Sequence, residues 1–262
     1  MDRARPRNRR LSAITLAIAL GGVHGTGVQV KAQGAPQPRA TPPVAAPPAP
    51  APGPPAQPAT ARDERLVAAS VQTFYDQTRD VNASFHQTYV NKLYQRTDRS
   101  HGRVVFKKPG KMRWDYAEPN GKVIVSDRDR LLVYEPGDAG EKGQVIEQAI
   151  SRAQLPAAMA FLTGVGRLVD DFTFRLLDSA REGFTGGDVL ELRAKVPSPH
   201  YDRILFYVES RPEVRGLVRR LVIIDAEGNR NRFDFTEMKF NAGVADAVFR
   251  WAPPAGTRRV EM

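Results

Sequence analysis

Most of this chain between residues 82 and 240 is a succession of short segments in which apolar and polar residues alternate. Such alternation is typical of β-strands that bury one face. Turn-forming residues separate the segments, as in "EPNG" at 118–121 and "DAEGN" at 225–229. Parallel strands would need long crossover connections, usually helices, and the pattern does not provide them. The sequence therefore predicts one large antiparallel sheet built as a meander.

An amphipathic helix is predicted before the first strand. Val67, Val71, Phe74, Tyr75 and Thr78 recur at the spacing of a single helical face. Since that face is apolar and the intervening residues are polar, we expect the helix to pack on the sheet.

Two further features predict that the sheet is curled and covered. In "FDFTEMKF" apolar residues alternate with polar ones up to Phe235, but the next apolar residue, Met238, follows after an odd spacing of three. This change of spacing indicates a β-bulge. In residues 151–168, called the lid below, Pro156 can begin a helix and Gly164 can end it. The helix is apolar on every side from 157 to 162, so more than one of its faces must be covered. The concave face of a curled sheet would supply that cover.

The N-terminus has the pattern of a secretory signal. Five arginines lie in the first ten residues, and an uncharged run at 11–23 follows, which is short for a membrane span. Residues 1–32 are predicted to be a signal peptide cleaved after Ala32. The alternative is an uncleaved signal that tethers the protein to the inner membrane.

Residues 33–60 are predicted to be a linker, because eleven prolines lie between 36 and 58 among alanines. This composition favours extended polyproline segments and lacks the apolar residues that a core needs. Residues 61–262 remain as a single domain, long enough to bury a core without disulfides.

The charge of the chain does not indicate nucleic-acid binding. The formal net charge is +10, but residues 1–60 hold seven of the 39 basic residues and one of the 29 acidic ones. The remainder carries 32 against 28, a net +4 with mixed signs. Basic and aromatic residues interleave in "KMRWDY" and could stack single-stranded nucleic acid, but the balanced charge argues against that function.

No catalytic residue, metal site or cofactor site is predicted. The chain has no cysteine, which excludes disulfides, thiolate chemistry and lipid attachment at an N-terminal cysteine. Its four histidines are scattered without metal-ligand spacing, and no GxSxG elbow or phosphate-binding loop is present. We therefore expect a binding protein and not an enzyme.

Large apolar side chains share one strand face directly after a lysine-proline corner. Met112, Trp114 and Tyr116 alternate with charged residues, and Val104 and Phe106 do so on the preceding strand. These side chains could line a pocket, or they could be ordinary core residues; periodicity alone favours the core.

Lys108 continues the alternation of Val104 and Phe106, so its ammonium group should lie at the rim of the apolar face. A buried ammonium group needs carbonyl or carboxylate partners, unless its methylene stem lets it reach water. Lys108 could therefore reach solvent, or it could act as a lid latch by donating to backbone carbonyls at 157–164.

The sequence resembles the periplasmic outer-membrane lipoprotein carriers of the LolA type over nearly all of residues 64–260. The resemblance rests on five stretches: "FYDQTRDVNASFHQTY" (74–89), "GRVVFKKPGKMRWDYAEP" (102–119), "VSDRDRLLVYEP" (125–136), "LPAAMAFLTGVGRL" (155–168) and "AGVADAVFRWAPPAGTRRV" (242–260). It implies an α+β, mainly β fold in which a single strongly curved antiparallel sheet forms an incomplete barrel. An N-terminal helix and a helical lid would cover it.

The resemblance also implies a function and a site. The interior would hold the acyl chains of lipoproteins, and Lys108 stands where the family usually has an arginine that bonds backbone carbonyls of the lid. The predicted lipid-binding residues are Phe74, Tyr75, Val104, Phe106, Met112, Trp114, Tyr116, Leu155, Met159, Phe161 and Leu162.

The implied partners are acylated lipoproteins, an inner-membrane ABC-type lipoprotein-releasing complex and an outer-membrane lipoprotein acceptor, with the protein acting as a periplasmic monomer. A competing hypothesis is a half-barrel sensor or interaction module that binds another protein or a lipid without transport.

Overall fold

A computed structural model describes residues 63–137, 141–150, 161–164 and 166–261. The predicted signal peptide, the predicted linker and lid residues 151–160 lie outside this part of the chain. Among the described residues the helices are α1 (Glu64–Asp76) and α2 (Leu168–Asp171), and Phe161 and Leu162 of the lid are also helical. 3₁₀ turns span Pro212–Val214 and Asp246–Phe249. The strands are β1 (Asp80–Asn91), β2 (Arg96–Lys107), β3 (Lys111–Tyr116), β4 (Val123–Asp127), β5 (Arg130–Glu135), β6 (Gln144–Ala149), β7 (Phe172–Leu177), β8 (Gly187–Ala194), β9 (Arg203–Glu209), β10 (Val218–Ile224), β11 (Arg230–Phe240) and β12 (Arg258–Glu261).

These strands form a single open sheet in the order β12-β6-β5-β4-β3-β2-β1-β11-β10-β9-β8-β7. Most neighbours in the sheet follow one another in sequence and pair antiparallel, which confirms the predicted meander. One pair departs from the prediction, because β12 runs parallel to β6. The parallel pair is possible at the sheet edge, since a long chain segment separates the two strands and can form the crossover.

Helix α1 matches the predicted amphipathic helix. The Asp63 side chain caps its first turn by accepting a hydrogen bond from the Arg65 amide. Val67, Val71 and Tyr75 are buried and belong to the main core. The helix packs against β7 and β8. In the described residues no helix is long and apolar enough to cross a membrane.

Ring contacts show how strongly the sheet curls. Trp114 on β3 and Phe233 on β11 are three strand positions apart, about 14 Å in a flat sheet. Their ring centroids are nevertheless 5.3 Å apart, so the strands between them must bend around a concave face. A bulge contributes to the curl: the pairing of β1 with β11 shifts by one residue at the predicted place, where Glu237 has a φ of +51°.

The convex face of β2–β4 is covered by the C-terminal segment of the chain. Phe249 is buried there against Val105 and Val125. Asp246 accepts from the Nζ atoms of Lys107 and Lys111 at 2.7 and 2.8 Å. The C-terminal segment therefore stabilises these strands from outside and leaves the concave face to the helices.

Candidate functional site

An aromatic cluster fills the concave face where β1, β3 and β11 converge. The Phe85 ring lies edge-on to Trp114 and to Tyr116, each at a centroid distance of 4.9 Å, and Trp114 meets Phe106 at 5.7 Å. Trp114 is 1% exposed. Edge-to-face pairs of this kind stabilise a core beyond the area that they bury. The interior of this half-barrel is occupied by its own side chains.

Gly102 makes room for this cluster. It is paired with Phe85 on one side and Tyr116 on the other, and a β-carbon built at Gly102 would lie 3.0 Å from the Phe85 ring and 2.1 Å from the carbonyl oxygen of Asp115. No side chain larger than hydrogen fits there without a backbone shift. The glycine thus allows the two rings on either side of β2 to meet at 4.9 Å.

The described part of the lid contributes to the same interior. Phe161 is buried and its ring lies 5.2 Å from Tyr75 of α1 and 6.3 Å from Phe206 of β9. Leu162 is also buried in the main core. At the end of the lid, the Leu168 amide donates to Oε1 of Gln72 at 3.0 Å, which ties the start of α2 to α1. The described lid residues and α1 therefore both cover part of the concave face.

The structure brings most of the predicted lipid-binding residues into one core, although it contains no lipid that would test their role. Phe74 is only partly buried and packs at the margin of the core, edge-on to Phe240 at 5.1 Å. Leu155 and Met159 lie outside the described residues. The predicted residues in the buried core are Tyr75, Val104, Phe106, Met112, Trp114, Tyr116, Phe161 and Leu162.

Lys108 does contact the cover of the interior, but its acceptor differs from the prediction. Its Nζ donates to the backbone carbonyl of Tyr75, in the last turn of α1, and not to a carbonyl of the described lid residues. The reason lies in helix geometry, because the final carbonyls of a helix have no partner within the helix. The Tyr75 carbonyl accepts from the Thr78 amide at 3.0 Å, and its second lone pair can accept from Lys108. Predicted acceptors at 157–160 lie outside the described residues.

The lid touches Lys108 through the lysine's methylene stem. Gly164 has a φ of +75°, and a β-carbon built there would lie 2.6–2.7 Å from Cγ, Cδ and Cε of Lys108. Next to it, the Gly110 amide donates to the Thr163 carbonyl at 2.9 Å. We call this arrangement the latch: Lys108 joined to Tyr75 by its ammonium group and pressed against Gly164 by its stem.

Titratable groups in the interior are few among the described residues. Burial raises the pKa of the Tyr75 hydroxyl and of the Tyr116 hydroxyl, so both stay protonated. Burial also lowers the pKa of Lys108, and the nearby Asp76 carboxylate partly offsets that shift. In the part of the chain that the structure describes, no group of three or more His, Asp or Glu side chains could hold a metal ion. The described interior is lined mainly by apolar side chains.

Sequence reasoning missed several residues of the interior. Phe85, Phe206 and Phe233 are fully buried and contact the predicted residues, yet none was predicted. Alternation within β1 and β11 could have placed Phe85 and Phe233 on a buried face, and the continuous apolar run of β9 could have indicated that Phe206 is buried. Neither pattern could have shown that these strands curl toward β3, because that depends on non-local packing.

Comparison with known proteins gives consistent matches. A family model described as "Outer membrane lipoprotein carrier protein LolA" matches residues 76–252. An outer-membrane lipoprotein carrier protein of Nitrosospira multiformis is 27% identical over 187 residues, covering 71% of this chain and 84% of that protein. One of Chromobacterium violaceum is 26% identical over 188 residues, covering 72% and 84%. The crystal structure of a LolA superfamily protein of Nitrosomonas europaea aligns with a TM-score of 0.43 and 14% identity, covering 73% of this chain and 99% of that one.

Proposed function

This chain belongs to the LolA family of outer membrane lipoprotein carrier proteins. From that premise we propose that it binds lipoproteins by their acyl chains and carries these lipoproteins from the inner to the outer membrane. The observation that supports acyl binding most directly is the buried aromatic interior, covered by α1 and the lid. The protein would act as a chaperone for its cargo and not as an enzyme.

The need for such a carrier follows from the cost of exposing acyl chains to water. Each buried CH₂ group contributes about 0.8 kcal/mol, so the two or three chains of a lipoprotein favour the bilayer by on the order of tens of kcal/mol. A protein interior that takes up the chains removes most of this penalty. Aromatic and aliphatic side chains provide such an interior without any hydrogen bonds that the cargo would have to satisfy.

Loading must begin with movement of the cover, because side chains already fill the concave face. Phe161 and Leu162 of the lid, and Tyr75 of α1, occupy space that acyl chains would take. We propose that cargo displaces the lid, and that the latch holds it closed in the empty protein. The two states must then differ little in free energy, since a ligand shifts an equilibrium only by its differential affinity for the two states.

The proposed lipid contacts comprise eleven residues, with Lys108 as the latch. They are Phe74, Tyr75, Val104, Phe106, Met112, Trp114, Tyr116, Leu155, Met159, Phe161 and Leu162.

We propose that an inner-membrane ABC-type complex drives loading and that an outer-membrane acceptor of higher affinity receives the cargo. The protein would act in the periplasm as a monomer, exported through a cleaved signal at 1–32. Mass spectrometry of the mature N-terminus would distinguish this from a carrier tethered by an uncleaved signal through the linker at 33–60.

The first experiment asks whether acylation decides binding. The purified chain from residue 61 onward is mixed with a triacylated lipopeptide or with its deacylated form, and each mixture is separated by size. We expect only the acylated peptide to co-elute as a soluble complex. If neither form co-elutes, the apolar interior is an ordinary core, and a half-barrel module that binds another protein becomes the better hypothesis.

A further inference from the structure

Exposed apolar side chains are concentrated at one end of the sheet. Among the described residues, five large hydrophobic side chains are exposed: Leu66, Leu93, Tyr94, Val169 and Val196. Leu93 and Tyr94, 79% and 76% exposed, are adjacent in the turn between β1 and β2, and Val196, 80% exposed, follows β8. Only Leu66, on α1, belongs to the opposite end.

The strand register places four of these side chains along a common rim. Val90 near the end of β1 pairs with Arg230, which also pairs with Ile224 at the end of β10. Ile224 pairs in turn with Arg203, where β9 begins. One side of the sheet, perpendicular to the strand direction, therefore holds the C-terminal ends of β1 and β10 and the N-terminal ends of β11 and β9. The last residues of β8 lie on the same side.

Direct contacts connect the turns along this side, which we call the far rim (residues 92–96, 225–229, 195–202 and α2). The Lys92 amide donates to Oδ1 of Asn229 at 2.9 Å, and the Asp202 amide donates to the Ile224 carbonyl at 2.8 Å. Lys195 Nζ donates to the Val169 carbonyl at 2.8 Å, which brings α2 beside Val196.

The β1–β2 turn of the rim extends past the neighbouring β3–β4 turn. That turn contacts β2 as far as Ser100: the Ala117 amide donates to the His101 carbonyl at 2.9 Å, and Nδ2 of Asn120 donates to Oγ of Ser100 at 3.2 Å. A strand rises about 3.4 Å per residue, so residues 96–99 extend about 14 Å beyond these contacts. Leu93 and Tyr94 thus lie at the tip of a hairpin that, in the described sheet, has a neighbour only on its β1 side, where Lys92 contacts the β10–β11 turn.

We propose that the β1–β2 tip of the far rim docks on the surface of a phospholipid bilayer, with Leu93 and Tyr94 inserted at the interface. Leucine and tyrosine suit this role, because leucine partitions into the acyl region and tyrosine prefers the level of the headgroups. Lys92 flanks them and can extend its charge to lipid phosphates while its stem lies along the apolar layer.

A bilayer explains this surface better than a protein partner does. A stable protein interface buries about 800 Å² per partner over a complementary surface. A narrow tip with two adjacent apolar side chains offers little such area, whereas a fluid bilayer accommodates a projecting tip of any shape. The charge that suits a bilayer belongs to the hairpin tip and not to the other turns of the rim, which carry Asp225 and Glu227. Residues 92–99 hold three basic side chains and one acidic one, Asp98, which pairs with Arg96.

The inference extends the proposed carrier function, because a protein that delivers acylated cargo must approach a membrane, but its test uses no cargo. The protein is expressed from its full sequence, purified from the periplasm and mixed with vesicles of phosphatidylethanolamine and phosphatidylglycerol. Binding is measured by vesicle flotation for the wild type, Leu93→Ala and Leu66→Ala. Leu66 is the matched control, because it is a 69% exposed leucine at the other end of the molecule.

We expect Leu93→Ala to weaken vesicle binding by roughly tenfold, the change that corresponds to about 1.4 kcal/mol of lost apolar burial. Leu66→Ala should bind like the wild type. Both side chains are exposed, so unchanged melting temperatures would show that both variants are folded. Any contribution from the N-terminal residues is common to the three proteins and leaves their ratio unchanged.

Two outcomes would overturn the proposal: wild-type protein that does not float with the vesicles, or equal binding by the two leucine variants. Lipopeptide capture, measured without vesicles, should be the same for Leu93→Ala and the wild type. If the protein captures lipopeptide but does not bind vesicles, the carrier function is supported and the docking proposal is wrong. If it binds vesicles but does not capture lipopeptide, the docking proposal is supported and the carrier function is wrong.

Discussion

Replacing Gly164 by alanine tests how tightly the lid is joined to the latch. A β-carbon at this position would lie 2.6 Å from Cδ and 2.7 Å from Cγ and Cε of Lys108. These separations are too short for a contact between carbon atoms that are not bonded to each other. The lysine cannot move aside freely, because its ammonium group donates to the Tyr75 carbonyl. The alanine variant must therefore either push the lid away from Lys108 or break the bond to Tyr75.

The expected magnitude has two parts. Gly164 has a φ of +75°, and an L-residue in this left-handed region costs about 1–2 kcal/mol. Loss of a hydrogen bond from a charged donor costs about 1.5–3 kcal/mol. Lys108 is only half-buried, so water can replace part of that bond. We expect Gly164→Ala to lower the free energy of unfolding by about 2–4 kcal/mol.

A double-mutant cycle separates the two parts. In a Lys108→Ala background the steric conflict is gone, so Gly164→Ala should cost only the backbone part, about 1–2 kcal/mol. Urea unfolding followed by tryptophan fluorescence gives the free energies of the four proteins. Gly183→Ala is the matched control, since Gly183 has a φ of +65° and its built β-carbon meets nothing within 4 Å. Costs of Gly164→Ala that agree within about 0.5 kcal/mol in both backgrounds would refute the contact.

Three further predictions concern the latch, the interior and the outer face. Lys108→Leu should speed amide hydrogen exchange across residues 155–168 of the lipid-free protein, and protection equal to that of the wild type would contradict the latch. Gly102→Ala should destabilise the protein by about 3 kcal/mol or more in thermal unfolding, because its β-carbon would lie 2.1 Å from the backbone oxygen of Asp115; a cost below about 1 kcal/mol would mean that β2 and β3 separate easily. Hydrogen bonds from two lysines lower the pKa of Asp246 from 3.8 to about 2, so the stability that this carboxylate contributes is present above pH 3.8 and is lost as the pH falls through about 2. Asp246→Asn should flatten the pH dependence of unfolding in that window, and an NMR titration of Asp246 with a midpoint near 3.8 would contradict the shift.

Local patterns in the sequence predict much of the sheet, because alternation and turn chemistry act within a few residues. The segment "KMRWDY" alternates, and β3 buries Met112, Trp114 and Tyr116 as expected. Strands β6 and β12 lack the alternation on which the strand prediction rests. In β6 the buried residues Val145 and Ile146 are adjacent, so alternation is absent, and "RRVE" of β12 has one apolar residue. Their strand structure comes from pairing with neighbours, which a local pattern does not contain.

The acceptor of Lys108 shows a different limit of sequence reasoning. The alternation through Val104 and Phe106 placed the lysine correctly at the rim of the interior. Which carbonyl it reaches depends on where α1 ends in space, and Tyr75 is 33 residues away in the chain. A helix end offers free carbonyls wherever it lies, so the chemistry of the partner was predictable and its identity was not.

The strength of the latch bears directly on whether the half-barrel can act as a carrier. Loading exchanges contacts between rings, such as Tyr75 with Phe161, for contacts between rings and acyl chains, so much of the apolar gain cancels. The polar contacts of the cover then weigh heavily in the balance. A single bond from Lys108 in the range of about 1–3 kcal/mol would change the population of the open lid by about 5- to 150-fold. That is enough to keep the empty interior closed, and it is small against the tens of kcal/mol that separate acyl chains in water from acyl chains in a bilayer. A charged bond of this strength from Lys108, beside the Gly110–Thr163 and Leu168–Gln72 hydrogen bonds, is therefore consistent with a lid that must open for cargo and close again after its release.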